Sequence, residues 1–122
     1  MATLVQNLPQ NINYELWQGD TWSPGTITAT VSGTPINFTG YTATMEIRNA
    51  ISNDVSLTLT STPAAGITLT SLGVITITMT AAQTNELLGE YNYDLQITNT
   101  TSEIRTYTYG SIIVSNDTTV NT

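Results

Sequence analysis

The sequence predicts an all-β fold, a β-sandwich of about eight antiparallel strands. Apolar and polar residues alternate with a period of two over most of the chain, which is typical of strands that turn one face to the core. Threonine makes up roughly a fifth of the 122 residues, and a β-branched side chain with a polar tip suits the outer face of a strand. Glycine, proline and asparagine interrupt the alternation at intervals that leave no room for crossover helices.

The alternation defines the strands one after another along the chain. The segments that carry it are residues 26–31, 41–48, 55–59, 67–69, 75–79, 91–97 and 104–114. In the second segment Glu46 and Arg48 occupy polar positions, so both ionic groups are expected to point away from the core. The turn-forming residues 71–73 separate the fourth and fifth segments, which indicates a hairpin.

Two segments depart from plain alternation. Residues 80–88 predict a short helical turn that bridges the two sheets, with Thr80 as its N-cap and Gly89 at its end. In the last strand the apolar phase shifts between Tyr107 and Ile112, and we expect Gly110 to absorb that shift in a β-bulge.

A tyrosine near the end of the sequence favours a sandwich over a barrel. Tyr91 follows a turn at the start of the penultimate strand, where immunoglobulin-like folds place a tyrosine whose hydroxyl bonds to upstream backbone. The alternative is that Tyr91 and Tyr93 are two ordinary core tyrosines. We therefore predict an immunoglobulin-like β-sandwich over residues 13–114, with an extended N-terminal arm, residues 1–12, and a C-terminal tail, residues 115–122.

Composition excludes several functional classes. Lysine, histidine and cysteine are absent, which removes the imidazole acid or base, the thiolate nucleophile, the Schiff-base lysine and the ordinary zinc site. The net charge of −7 argues against nucleic acid and against an anionic membrane surface. No secretory signal and no apolar run long enough to span a membrane is present. The absence of cysteine leaves no disulfide, which fits synthesis in a reducing cytoplasm.

The carboxylates do not form a recognisable catalytic or metal-binding pattern. Nine are present, but they are scattered over loops and outward strand positions rather than paired across a cleft, so we expect no enzyme. The pairs at residues 53–54 and 116–117 lack the spaced oxygen ligands of an EF-hand calcium loop, and turn formation explains them. No cofactor and no metal is expected.

The aromatic residues allow two interpretations. Trp17 and Trp22 flank a short polar segment, and Tyr107 and Tyr109 share one face of the last strand, so a platform for sugar rings would make the chain a carbohydrate-binding module. The interpretation we favour is that one tryptophan fills the core and the tyrosines cover an edge or an interface. The residues predicted to lie at an interface are Leu4, Val5, Leu8, Trp22, Tyr107 and Tyr109.

Three ordered segments carry a resemblance to a known family. They are Gly19-Asp20-Thr21, the run from Phe38 to Arg48 that begins Phe-Thr-Gly-Tyr, and the run Gly89-Glu90-Tyr91-Asn92-Tyr93-Asp94-Leu95. Over residues 15–114 the chain resembles the immunoglobulin-like domains of tailed-bacteriophage virion accessory proteins, and in particular the N-terminal domain of phage baseplate upper proteins. The resemblance implies a domain without catalytic activity that serves as an attachment module in the virion.

The resemblance also implies partners and a location. We expect a virion protein, present in many symmetric copies, that binds other capsid or tail proteins. Because no C-terminal helical or receptor-binding region follows the domain, a head decoration or cement subunit is the first expectation. A tail, baseplate or fibre-attachment adaptor is the alternative, and a carbohydrate-binding module with a glycan contact on the virion surface is the alternative from another class.

Overall fold

The computed structural model describes residues 2–4, 9–24, 26–62 and 65–116 of the chain. These residues contain eleven strands and one short helix. The strands are β1 (Ala2–Leu4), β2 (Gln10–Asn11), β3 (Tyr14–Trp17), β4 (Thr26–Val31), β5 (Thr34–Pro35), β6 (Thr42–Asn49), β7 (Val55–Thr60), β8 (Ile67–Leu69), β9 (Val74–Ile77), β10 (Gly89–Thr98) and β11 (Ile104–Ser115), and the helix is α1 (Ala81–Asn85).

The strands form two packed sheets. The five-stranded sheet has the order β1-β4-β9-β8, with β5 paired to β4, and the six-stranded sheet has the order β2-β11-β10-β6-β7, with β3 also paired to β11. In this arrangement β4, β9 and β8 correspond to one sheet of an immunoglobulin-type sandwich, while β6, β10 and β11 correspond to the other. The predicted fold class is therefore confirmed.

Pairing at the N terminus differs from the antiparallel expectation. Strand β1 runs parallel to β4, and β2 and β3 both run parallel to β11. The described part of the predicted arm is thus paired within the domain itself, with Leu4 opposite Ala29 and Asn11 opposite Tyr109. Alternation within one strand does not show whether its neighbour runs parallel or antiparallel, so the sequence did not reveal this pairing.

The core lies between the two sheets and consists of the inward-facing residues that the alternation predicts. Met45 and Ile47 of β6 and Ile75 of β9 are completely buried, and so is Leu95 of β10. The β8–β9 hairpin also forms as predicted, with Ile67 opposite Ile77. Burial of large apolar side chains in a continuous cluster is the dominant favourable contribution to folding.

Gly110 has a different role from the one expected. The register between β10 and β11 shifts at Leu95, where the partner changes from Thr108 to Thr106, so Tyr107 is the extra residue of the bulge. At Gly110, an added Cβ would lie 2.3 Å from the carbonyl oxygen of Ile12. Gly110 is therefore required because another segment of backbone approaches it, and the predicted bulge at this position is wrong.

That approaching backbone belongs to an interruption between β2 and β3. Both strands keep the same register against β11, so they are one strand broken at residues 12 and 13. The Tyr93 hydroxyl donates to the Ile12 carbonyl at 2.7 Å, and the Asn13 side-chain oxygen accepts from the Ser111 amide at 3.0 Å. Side chains thus form hydrogen bonds with backbone groups that have no partner on the neighbouring strand.

The connection from β9 to β10 contains the predicted short helix with Thr80 as its N-cap. The helix ends earlier than predicted, at Asn85 with Glu86 as its C-cap, and Gly89 is the first residue of β10. Thr80 caps α1 in a capping box with Gln83, in which each side chain bonds to the other residue's backbone amide. After the helix, the buried Tyr91 hydroxyl accepts from the Leu88 amide at 2.9 Å and donates to the Leu88 carbonyl at 3.2 Å. The predicted tyrosine corner is confirmed.

Candidate interaction surface

Two of the six predicted interface residues lie in the core. Trp22 is 7% exposed and packs edge-to-face against Tyr14, with ring centroids 5.0 Å apart. Tyr107 is 5% exposed and packs near Phe38 at 6.0 Å. These two residues therefore offer almost no surface to a partner, because the bulge turns Tyr107 inward and a β-bridge to Met79 holds Trp22.

The other predicted interface residues lie in different parts of the chain. Tyr109 is 43% exposed on the outer side of the six-stranded sheet, as an interface residue requires. Leu4 belongs to β1, where its backbone pairs with β4. Val5 and Leu8 lie outside the described residues. The interface assignment therefore stays a prediction for Tyr109 and the N-terminal residues.

Three exposed apolar side chains share one surface of the sandwich, and two of them were not among the predicted interface residues. We call this surface the outer face: the solvent side of the six-stranded sheet, formed by the outward residues of β3, β11, β10 and β6. Trp17 is 54% exposed and Ile113 40% exposed on this face, in addition to Tyr109. Tyr14 and Leu16 point inward, so alternation along β3 places Trp17 outward. That phase was the sequence signal that could have identified Trp17.

Carboxylates flank the apolar residues of the outer face. In register, Ile113 of β11 lies between Glu15 of β3 and Glu90 of β10. Tyr109 has Asn11 on one side and Asp94 on the other. Side chains directly opposite each other on neighbouring strands are roughly 5 Å apart at Cβ. Ile113 and Tyr109 therefore each have an acidic residue as a direct cross-strand neighbour.

The basic group on the outer face is already engaged. Arg48 donates to Glu46 at 2.8 Å and also to the Asn53 carbonyl at 3.0 Å. Asp94 lies opposite Glu46, so two carboxylates share the guanidinium's neighbourhood. Glu15, Glu90 and Asp94 make no side-chain hydrogen bond to residues that the structure describes. The outer face therefore has excess negative charge.

The relief of the outer face is shallow. An open hollow of about 340 Å³ lies beside Tyr109 and Asn92, next to the interruption of the N-terminal strand. A second hollow of about 190 Å³ lies next to it, over Arg48 and Asp94. Shallow relief with exposed aromatic residues suits contact with a protein surface better than enclosure of a small ligand.

Three core tyrosines and one exposed carboxylate have clear pKa shifts among the described residues. Side-chain hydrogen bonds from Asn99 and Thr101 lower the pKa of Glu103 in the β10–β11 connection. Burial raises the pKa of Tyr14, Tyr93 and Tyr107 above its ordinary value. The hydroxyl of Tyr93 is committed to the Ile12 carbonyl. The tyrosine shifts follow from packing between the sheets, and a tyrosine that stays protonated in the core is a structural hydrogen-bond donor.

The described part of the chain has neither a cluster of metal-binding side chains nor a helix that could span a membrane. Residues 2–4, 9–24, 26–62 and 65–116 contain no group of three or more acidic side chains placed to hold a metal ion. The helix found in these residues has five residues, and none there is long and apolar enough to cross a membrane.

The aromatic platform expected for a carbohydrate-binding module does not form from the predicted pairs. Trp22 and Tyr107 are in the core, which separates each from its exposed partner. Trp17 lies opposite Ser115, whereas Tyr109 is six residues earlier on β11. At about 3.3 Å per residue, the two exposed rings are roughly 20 Å apart along the strand. They do not form one stacking surface for a sugar ring.

Comparison with known proteins finds similarity in three-dimensional structure. No known family model and no curated protein sequence matches the chain. Among solved structures, the N-terminal domain of phage TP901-1 ORF48 is similar, with a TM-score of 0.54 and 15% sequence identity. The match covers 93% of this chain and 94% of that one. It confirms, at the level of the fold, the resemblance to a phage domain that the sequence indicated.

Proposed function

We propose that this chain is a non-enzymatic structural subunit of a phage virion, which binds neighbouring virion proteins through the surface of its sandwich. The observation that carries the proposal is the likeness to phage TP901-1 ORF48 over nearly the whole length of both chains. A fold alone does not fix a function. The proposal therefore also draws on the outer face, whose exposed apolar residues and shallow relief suit a protein partner.

Two placements in the virion are consistent with this role. The resemblance of the sequence to the N-terminal domain of phage baseplate upper proteins favours a tail or baseplate adaptor. The low density of charge, with nine acidic and two basic residues in 122, favours a head decoration or cement subunit, since repeated copies then repel one another weakly. Either placement gives the chain virion partners in several symmetric copies.

The experiment that tests the proposal is fractionation of particles from cells that carry this gene. Particles are banded in a density gradient, washed, and digested for quantitative mass spectrometry. The expected result is a fixed number of copies of this chain per particle, with tail-enriched and head-enriched fractions separating the two placements. Recovery of the chain entirely in the soluble fraction, with none in banded particles, would contradict the proposal.

A carbohydrate-binding module is the competing function, and the same preparation tests it. Trp17 is the exposed tryptophan of the described residues and would report a stacked sugar ring through its fluorescence. We expect no saturable change when host cell-wall glycans are titrated into the protein. Saturable quenching that Trp17→Ala removes would favour the module over the structural subunit.

A further inference from the structure

We infer that the outer face is the docking surface for a different protein, one that presents lysine or arginine side chains beside apolar ones. The inference rests on the proposed function, because it names the chemistry of the partner in the virion. The exposed apolar side chains come first in the argument. Trp17, Ile113 and Tyr109 all lie on the outward positions of two adjacent strands, β3 and β11. Aromatic residues at such positions contribute most to binding energy when a partner covers them.

The charge around these side chains determines the chemistry of the partner. Glu15 and Glu90 flank Ile113, and Asp94 flanks Tyr109. None of the three carboxylates makes a side-chain hydrogen bond to a residue in the described ranges. Acidic groups beside an apolar contact are complementary to cationic groups beside the partner's apolar residues. A buried charge that gains an opposite charge costs less free energy than a buried charge left unpaired.

The same charges argue against a second copy as the occupant. In a two-fold dimer the same patch would face itself, so Glu15, Glu90 and Asp94 would meet their own counterparts. The whole chain has a net charge of −7, and Arg48 is already bonded to Glu46. Self-association through this face would therefore bring unpaired carboxylates together without a cation to neutralise them.

The size of the outer face is adequate for a specific contact. Its four strand positions lie about 4.8 Å apart, and β6 and β10 run for 8 and 10 residues at about 3.3 Å each, which gives an area on the order of 600 Å². A standard protein interface buries about 800 Å² on each partner. The outer face, with its edge strand β3, thus supplies about three quarters of one such surface.

The absence of lysine makes a direct chemical test possible. A carbodiimide joins a carboxylate to an amine without a spacer, and this chain has no lysine, so any crosslink to lysine identifies a different protein. In purified particles we expect Glu15, Glu90 or Asp94 to be crosslinked to lysines of a single partner. The control carboxylates are Glu86 and Glu103, which are exposed in the segments that connect α1 to β10 and β10 to β11. Crosslinks confined to these controls would overturn the inference.

Charge reversal gives an independent readout that also covers a partner that uses arginine. We expect Glu15→Lys combined with Glu90→Lys to lower the number of copies per particle at least tenfold. The matched control, Glu86→Lys combined with Glu103→Lys, makes the same change in net charge and should incorporate normally. Circular dichroism and thermal melting establish that both double variants fold.

Two substitutions of exposed apolar residues test the apolar part of the contact. Trp17→Ala should lower occupancy, whereas Leu72→Ala, at an exposed apolar residue in the β8–β9 turn, should leave it unchanged. Normal occupancy of both outer-face variants would overturn the inference while leaving the virion role intact. Absence of the wild-type chain from particles would instead refute the proposed function. The two failures are therefore distinguishable.

Discussion

Replacing Tyr91 by phenylalanine tests the hydrogen-bonded corner that joins the two sheets near β10. The change removes one hydroxyl and leaves the ring, so core packing is preserved. In the native protein this hydroxyl accepts from the Leu88 amide and donates to the Leu88 carbonyl, at 2.9 and 3.2 Å. Both backbone groups lose their partner in the variant.

The magnitude follows from the two lost bonds. Each contributes about 1 kcal/mol net, and a buried backbone group left without a partner costs about 1–3 kcal/mol. The corner is only partly buried, so water reaches part of the vacated space. We therefore expect the free energy of unfolding to fall by about 1–2 kcal/mol.

Urea unfolding followed by tryptophan fluorescence measures this difference. Tyr109→Phe is the matched control, because it removes the same atom from a partly exposed ring and should change stability by less than about 0.5 kcal/mol. If Tyr91→Phe also unfolds within about 0.5 kcal/mol of the wild type, the tyrosine corner does not stabilise this fold and the reasoning is refuted.

Two further predictions concern the strand interruption and the buried tyrosines. Gly110→Ala should destabilise by more than about 2 kcal/mol, because the new methyl group would lie 2.3 Å from the Ile12 carbonyl oxygen; Gly33→Ala, with nothing within 4 Å of its Cβ, should cost only about 1 kcal/mol of backbone strain. Equal urea midpoints for the two variants would contradict this. Burial raises the pKa of Tyr93 and of two other core tyrosines, so their contribution to stability is complete below the unfolded pKa of about 10 and is lost as the pH rises toward the folded values. The free energy of unfolding should therefore be lower at pH 11 than at pH 8, and equal values would show that these hydroxyls are not buried.

The sequence predicts those parts of the fold that depend on local pattern. Alternation identified the buried residues of β6, β9 and β10, because a half-buried strand must place every second side chain in the core. The capping box at Thr80 and the corner at Tyr91 were also predictable, since each joins residues three positions apart.

Features that depend on long-range register were not predictable. Tyr107 was expected to share an exposed face with Tyr109, but the bulge gives it an inward direction. A bulge changes the direction of a side chain without changing the composition around it. Trp22 was likewise chosen for its residue type, whereas its burial depends on contact with Tyr14 of β3 and on a β-bridge to Met79, which is distant in sequence.

The outer face was not predictable from the sequence either, because it depends on how distant strands pair. Glu15, Glu90 and Ile113 are far apart in sequence, and no motif links them. They become neighbours only because β3 runs parallel to β11 while β10 pairs with the other edge of β11. Parallel pairing of the N-terminal strand sets this register, and single-strand periodicity contains no information about it.

Cryo-electron microscopy of particles from cells that carry this gene tests the central claim most directly. The account predicts density for an immunoglobulin-like sandwich at a symmetric position, with the outer face of the six-stranded sheet seated on another virion protein and basic side chains opposite Glu15, Glu90 or Asp94. Particles that contain no density for this domain, at either head or tail, would contradict it.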